Sequence, residues 1–155
     1  MDRRGAPTDH RSVPAPLHDL ACANAARRAG RPDPALERAL ATATGCDRRL
    51  AAYGTLRPGE ANHREVADLC GAWRPAWLTG RVEQREYPFL TFDPGAPPIA
   101  VALLVSDELP RHWPRLDAFE GADYVRILVP VHTEDGATVL ANVYVAADAA
   151  DGIRT

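Results

Sequence analysis

The sequence has no lysine: all 18 basic side chains are arginine. Together with 14 prolines and abundant alanine, this is a compositional bias and carries no chemistry of its own. No apolar run approaches the roughly 20 residues that cross a bilayer, so no membrane span is expected. Arg3 and Arg4 are followed by proline and polar residues where a signal peptide needs an apolar core, so no export signal is read. The three cysteines, Cys22, Cys46 and Cys70, include no C-x-x-C pair. That argues against a disulfide framework and for reduced thiols in a cytoplasm. His10, His18, His63, His112 and His132 show no ligand spacing, so no zinc site is read. An excess of positive charge is also missing. A net charge of −3 and a pI near 5.9 leave no electrostatic basis for nucleic acid or an anionic membrane as partner. There is no internal repeat.

What is present suffices for one domain with a real core: 155 residues, 46% hydrophobic and 25% charged. Residues 1 to about 17 hold hardly any apolar side chains and are expected to be disordered. Leu17 to Ala29 is alanine-rich and reads as a helix stopped by Gly30. Asp33-Pro34 has the form of an N-cap followed by proline at the first helical position. Leu36, Ala39, Leu40 and Ala43 come next at helical spacing, and Gly45 closes the segment. Seven arginines stand against six acids up to Asp47, and eleven against fifteen after it. Residues 1–47 are therefore read as an N-terminal extension, an appended arm or a packing element, and 48–155 as the compact domain. Deleting residues 1–16 is expected to leave that domain folded.

The domain opens on an apolar run, Leu50-Ala51-Ala52, that stops at Tyr53-Gly54-Thr55-Leu56-Arg57-Pro58-Gly59. A buried strand feeding a tight loop reads this way. Gly54 suits positive φ or a close backbone approach, Pro58-Gly59 suits a turn, and Asn62 is placed to cap a short helix through His63, Val66 and Leu69. Bare loop N–H groups at such a point suit an anionic group. Further strands are read over Ala76–Gln84 and Tyr87–Phe92, with Pro88 forcing an edge. Asp93-Pro94-Gly95 is a turn, and Ile99–Val105 reads as a strand buried on both faces. Leu109–Glu120 reads as a helix with Trp113, Leu116 and Phe119 on its apolar face and Gly121 as its stop. Two alternating strands close the chain around Asp135-Gly136. Val125, Ile127, Val129 and Val131 share one face of the first. Val139, Ala141, Val143 and Val145 share one face of the second. The tail from Ala146 is expected to fray. The fold class is α+β: a small mixed domain with a curled sheet or partial β-barrel, plus the helical extension.

Glu120 ends an apolar helix just before a glycine. Desolvation and the negative helix pole both raise the pKa of a carboxylate so placed, which suits proton transfer near neutral pH. Asp117, one turn back, is read as structural. Arg126 shares a strand face with Tyr124 and is placed to pair with Asp117, Glu120 or a substrate carboxylate. A Cys-His hydrolase built on Cys70 with His63 or His112 lacks an oxyanion loop, and a buried, inert thiol is the commoner reading of such a cysteine.

These residues, in order, resemble the γ-glutamylcyclotransferase-like family. The resemblance is carried by Tyr53-Gly54-Thr55-Leu56, Asn62-His63, Leu116-Asp117-x-x-Glu120-Gly121-x-x-Tyr124-x-Arg126 and Tyr144. It spans about two-thirds of the chain and lies closest to the γ-glutamylamine cyclotransferase branch. It implies a cofactor-free enzyme that releases 5-oxoproline and a free amine from a small γ-glutamyl substrate by intramolecular attack. Glu120 would carry the proton. Tyr53, Gly54, Thr55, Leu56, Tyr124 and Tyr144 would bind substrate, and His63 would fix the loop. Ala100 stands where the family usually begins a strand with glycine, and residues 1–47 have no counterpart in the pattern. A family member that binds an amide or a protein partner without turning it over is the alternative.

Overall fold

The computed structural model describes residues 14–148. Among the described residues three α-helices accompany six strands: α1 (Pro14–Arg28), α2 (Pro34–Thr44), β1 (Arg49–Ala52), β2 (Ala72–Gln84), β3 (Pro88–Phe92), β4 (Pro98–Val105), α3 (Leu109–Glu120), β5 (Tyr124–Thr133) and β6 (Thr138–Ala146). The strands form one sheet in the order β3-β2-β4-β1-β6-β5, and β2 also pairs with β5. Five strands thereby close into a barrel and β3 is the extra strand at its edge, where Pro88 costs no ladder bond. Closure rests on two residue pairs, Ala76 with Thr133 and Trp77 with His132. The only parallel pairing among the described residues is β1 beside β6, with Leu50 opposite Asn142.

Alternation puts Val101, Leu103, Ile127, Val129, Val131, Ala141, Val143 and Val145 inside the barrel, with Leu78, Leu90 and Phe92 completing that core. The outward side chains of β1 and β4, Leu50, Ala52 and Leu104, pack against Leu109, Trp113 and Leu116 of α3. β4 is buried on both faces only at Leu103 and Leu104; Ala100 and Val105 are exposed, because α3 covers only part of its outer face. α3 starts without a side-chain cap and keeps Pro114 on its exposed side. Gly121 then ends it at φ 77°, a conformation that glycine adopts without a Cβ penalty.

The expected disorder over residues 1–17 falls largely on residues 1–13, outside the described residues. From Pro14 the chain is helical. Residues 149–155 of the tail likewise lie outside them. Asp33 caps α2 by accepting from the N–H groups of Ala35 and Leu36 at 3.1 and 3.2 Å, and Gly45 closes it at φ 75°. Both helices lie on the barrel. Leu20, Ala23, Leu40, Cys46 and Leu128 form a third buried cluster.

The barrel's weak seam explains that docking. Along its Arg126–Leu128 stretch, β5 has β6 on one side and no described strand on the other. α1 takes that place. The buried Asn24 side chain donates to the Leu128 carbonyl at 2.8 Å and accepts from the Leu128 N–H at 2.9 Å. Arg27 donates to the Arg126 carbonyl at 3.1 Å. The helix thus satisfies strand-edge groups that burial would otherwise leave orphaned. Among the described residues no helix is long and apolar enough to cross a membrane.

Candidate active site

The open end of β1, the end of α3 and the starts of β3 and β5 surround a cavity of about 300 Å³. Tyr53, Gly54, Thr55 and Leu56 form one wall, and Glu120, Tyr124 and Tyr144 face them. Leu50, Ala51 and Ala52 of β1, with Asn62, Tyr87, Pro88 and Phe119, complete the lining. All seven residues expected from the sequence to bind substrate or move the proton therefore meet in one place. Glu120 is the only charged group among the described residues that line it.

The loop after β1 is held from below. Asn62 Nδ2 donates to Thr55 Oγ1 at 2.8 Å, its backbone N–H donates to the Thr55 carbonyl at 2.9 Å, and His63 Nδ1 meets the Leu56 carbonyl at 2.8 Å. Asn62 therefore does not cap a helix with its side chain. The next element is a single 3₁₀ turn, His63–Glu65, because the amide is committed to the loop. Gly54 does not adopt positive φ either. Its need is space, since a Cβ there would meet Pro88 Cγ at 3.1 Å. Among the described residues, the N–H groups of Gly54, Thr55 and Leu56 have no protein acceptor. Three unpaired donors in a row can bind an anion or an oxyanion.

The three tyrosine hydroxyls are engaged by the protein. Tyr53 Oη donates to the Tyr144 carbonyl at 2.8 Å and accepts from the Leu90 N–H at 3.0 Å. Tyr124 Oη donates to the Pro88 carbonyl at 2.8 Å, while its ring stacks on Phe89 with centroids 4.5 Å apart. Tyr144 Oη donates to Asp117 Oδ1 at 2.6 Å. Burial pushes all three phenols up, Tyr124 to about 12. They stay neutral at any working pH and present mainly ring faces to the cavity.

The two carboxylates of α3 are driven apart. Burial first, then the Asp117 charge, pushes Glu120 up to about 7. Burial also pushes Asp117 upward, but Arg126 outweighs it by hydrogen bond and charge. With the Tyr144 hydroxyl it holds that carboxyl below its usual range. The Arg126 guanidinium grips Asp117 with Nε to Oδ1 at 2.8 Å and Nη2 to Oδ2 at 3.1 Å. One carboxyl poised near neutrality beside one fixed as an anion is the arrangement of a proton carrier with a local electrostatic tuner.

Phe119 is not in the core. It is 38% exposed at the cavity mouth, beside Tyr87 at 50%. The apolar face of α3 is Leu109, Trp113 and Leu116, and one more step of three residues turns past the barrel. Tyr87, Pro88 and Asn62 are lining residues that the sequence alone did not mark. A cue existed for Asn62, the polar residue beside the loop's own His63. Cys70 is exposed and not buried. His63 and His112 each use a ring nitrogen on a backbone carbonyl, Leu56 at 2.8 Å and Glu65 at 2.7 Å. Among the described residues no cluster of three His, Cys, Asp or Glu could hold a metal.

A sequence model of the family described as gamma-glutamyl cyclotransferase, AIG2-like, matches residues 50–154. Among solved structures, YkqA of Bacillus subtilis is 29% identical, with a TM-score of 0.54 over 64% of this chain and 35% of that one. An AIG2-like protein of mouse is 24% identical, with a TM-score of 0.53 over 66% of this chain and 79% of that one. A Pyrococcus horikoshii protein described as uncharacterized is 24% identical, with a TM-score of 0.50 over 67% and 81%. The last two likenesses speak to the fold alone. Comparison with curated proteins finds no match.

Proposed function

The chain belongs to the gamma-glutamyl cyclotransferase, AIG2-like family, which supports cyclotransferase activity in general, and from that premise we propose that it cleaves γ-glutamyl-amines or γ-glutamyl-peptides to 5-oxoproline and a free amine. The observation that carries the reading is Glu120: a carboxyl held near neutrality, opposite three unpaired loop N–H groups, in the same cavity.

The reaction needs no nucleophile from the protein. The substrate's α-amine attacks its own γ-carbonyl, and ring closure supplies the proximity that makes the step effectively unimolecular. An α-ammonium has a pKa of about 8, so it must lose a proton before it attacks. Glu120 takes that proton, the C–N bond forms, and the carbonyl becomes an oxyanion. Donors from the 54–56 loop stabilise it. The tetrahedral intermediate collapses by breaking the bond to the leaving nitrogen, which receives the proton from Glu120. A second proton leaves the new lactam nitrogen and reaches the departing amine the same way, so two protons lost by the ammonium are two gained by the amine. Tyr53, Tyr124 and Tyr144 pack the glutamyl chain, and Asp117 keeps Glu120 basic enough to act.

The leaving amine faces the mouth formed by Phe119, Tyr87 and Pro88. With no cation among the described lining residues, neutral and apolar amines fit better than amines bearing a free carboxylate, which agrees with the γ-glutamylamine branch. A panel of γ-glutamyl-amines and γ-glutamyl dipeptides, assayed for 5-oxoproline formation, tests the reading. Release of 5-oxoproline with one equivalent of amine supports it. A chain that binds members of the panel and converts none is instead a non-catalytic binder.

A further inference from the structure

Behind the cavity two arginines share one amide oxygen. Asn142 on β6 is fully buried, and its Oδ1 accepts from Arg126 Nη1 at 2.7 Å and from Arg27 Nη1 at 2.9 Å. Its Nδ2 donates to the Cys46 carbonyl at 2.9 Å, so the amide cannot turn. Two like charges at one oxygen are tolerable only if each has its own counter-ion. Arg126 has Asp117. Arg27 has Glu37 on α2, gripped through Nε at 2.8 Å and Nη2 at 2.7 Å. That grip leaves Nη1 aimed at Asn142 and at the Arg126 carbonyl, 3.1 Å away. Arg27 is 10% exposed, and the Arg126 guanidinium is further pinned 4.2 Å over the Trp113 ring. From there the chain of contacts is short: Arg126 to Asp117, Asp117 to the Tyr144 hydroxyl, and Asp117 to the field at Glu120 one helical turn away.

We propose that Arg27, on a helix outside the 50–154 region that the family model matches, is a positioning residue for the active site. Together with Glu37 it fixes Asn142 and the Arg126–Asp117 clamp, and through them the placement of Tyr144 and Glu120. The N-terminal helices are then part of the catalytic apparatus as well as a cover for the β5 edge. The proposal rests on the cyclotransferase reading only for its kinetic readout. The titratable groups that face Glu120 are Asp117 on its own helix, Tyr53 after β1, Tyr124 at the start of β5 and Tyr144 on β6. Of these only Asp117 is charged at neutral pH, so a loosened clamp acts on Glu120 through it.

The test uses the full-length chain and the double substitution Arg27→Met with Glu37→Met. This removes both charges and leaves no lone buried ion, an exchange often neutral for stability. Leu20→Ala thins the packing of the same helix without touching the hydrogen-bond chain, and serves as the structural control. The Glu120 carboxyl is titrated by carbon NMR, and kcat and KM are measured on the best γ-glutamyl substrate. In the double variant, the Glu120 midpoint is expected to rise by about half a pH unit or more, because Asp117 is less well neutralised. The expected kinetic change is a loss of roughly tenfold in kcat with KM within about twofold. Leu20→Ala is expected to lower thermal stability and leave both readouts in place. If the double variant does not fold, Arg27→Gln, which removes the positive charge near Asp117 and leaves behind only the better exposed Glu37, must move the same readouts in the same direction. A folded variant with wild-type midpoint and kcat overturns the proposal, as do changes no larger than those of Leu20→Ala. If wild type converts no γ-glutamyl substrate, the functional reading fails and the titration alone decides the role of Arg27.

Discussion

Glu120→Gln is expected to make the protein more stable and less active at once. Both effects come from the same desolvation. An ordinary Glu titrates near 4.5, whereas Glu120 in the fold titrates at about 7. Below 4.5 the carboxyl is neutral whether the chain is folded or not, and it costs nothing. Between 4.5 and 7 the unfolded chain gives up the proton while the folded chain keeps it, so stability falls as pH rises. Above 7 the loss is complete. At about 1.4 kcal/mol per pH unit, the interval corresponds to roughly 3 kcal/mol. Glutamine has the same shape and no charge at any pH. The variant should match wild type near pH 4 and exceed it by roughly 3 kcal/mol at pH 8, or on the order of 6–12 °C in melting temperature for a chain of this size. Urea denaturation at a series of pH values isolates the effect, because contributions from all other groups cancel in the difference. A difference that does not vary with pH would refute the reasoning, as would a variant less stable than wild type at pH 8. The loss of activity should be about 10²- to 10⁴-fold, the usual contribution of a positioned acid–base group. A site that loses function and gains stability by one atom exchange holds its carboxylate under strain for a purpose.

Other outcomes stem from the same contacts. Asn24→Leu orphans the N–H and carbonyl of Leu128 and should destabilise by about 2–4 kcal/mol, read from the shift in denaturation midpoint at constant m. Alkylation of the native protein should modify the exposed Cys22 and Cys70 and spare Cys46, whose thiol is buried and pushed up by that burial. Mass spectrometry gives the sites, and 5-oxoproline release should survive the treatment. Among substrates, γ-glutamyl derivatives of neutral amines should show a KM lower than that of γ-glutamyl dipeptides by about tenfold, since a terminal carboxylate would meet no cation among the described lining residues. Steady-state kinetics on matched pairs measures this preference.

Much of this molecule is legible in its sequence because local chemistry decides it. Asp33, Pro34 and Gly45 bound α2, the alternation in β5 and β6 sorts barrel from exterior, and Gly121 stops α3. Of the seven residues expected at the site, Tyr53 to Leu56 follow directly on β1, Glu120 ends α3 and Tyr124 begins β5, positions that local chemistry marks; Tyr144 lies within β6. What stays hidden depends on contacts distant in the chain. Barrel closure hangs on two residue pairs between β2 and β5. Nothing in Ala76 or Trp77 announces them. Asn24 reads as a surface polar residue of an alanine-rich helix until an unpaired strand edge lies beside it. Phe119 keeps the three-residue period of Trp113 and Leu116, but the helix runs past the barrel before reaching it. Gly54 is favoured by Pro88, whose Cγ lies 3.1 Å from where a Cβ would stand, and not by its own backbone angles.

In the proposed mechanism Glu120 moves the proton in an intramolecular cyclisation. The measurement that addresses it most directly is the rate of 5-oxoproline formation from a γ-glutamyl-amine by wild type and by Glu120→Gln, monitored from pH 5 to 9. Wild-type kcat/KM is expected to fall about tenfold per pH unit below about 7, the range in which Glu120 becomes protonated. The variant is expected to be at least about a hundredfold slower at pH 8, where Glu120 is ionised. A Glu120→Gln protein that forms 5-oxoproline at the wild-type rate would contradict this mechanism.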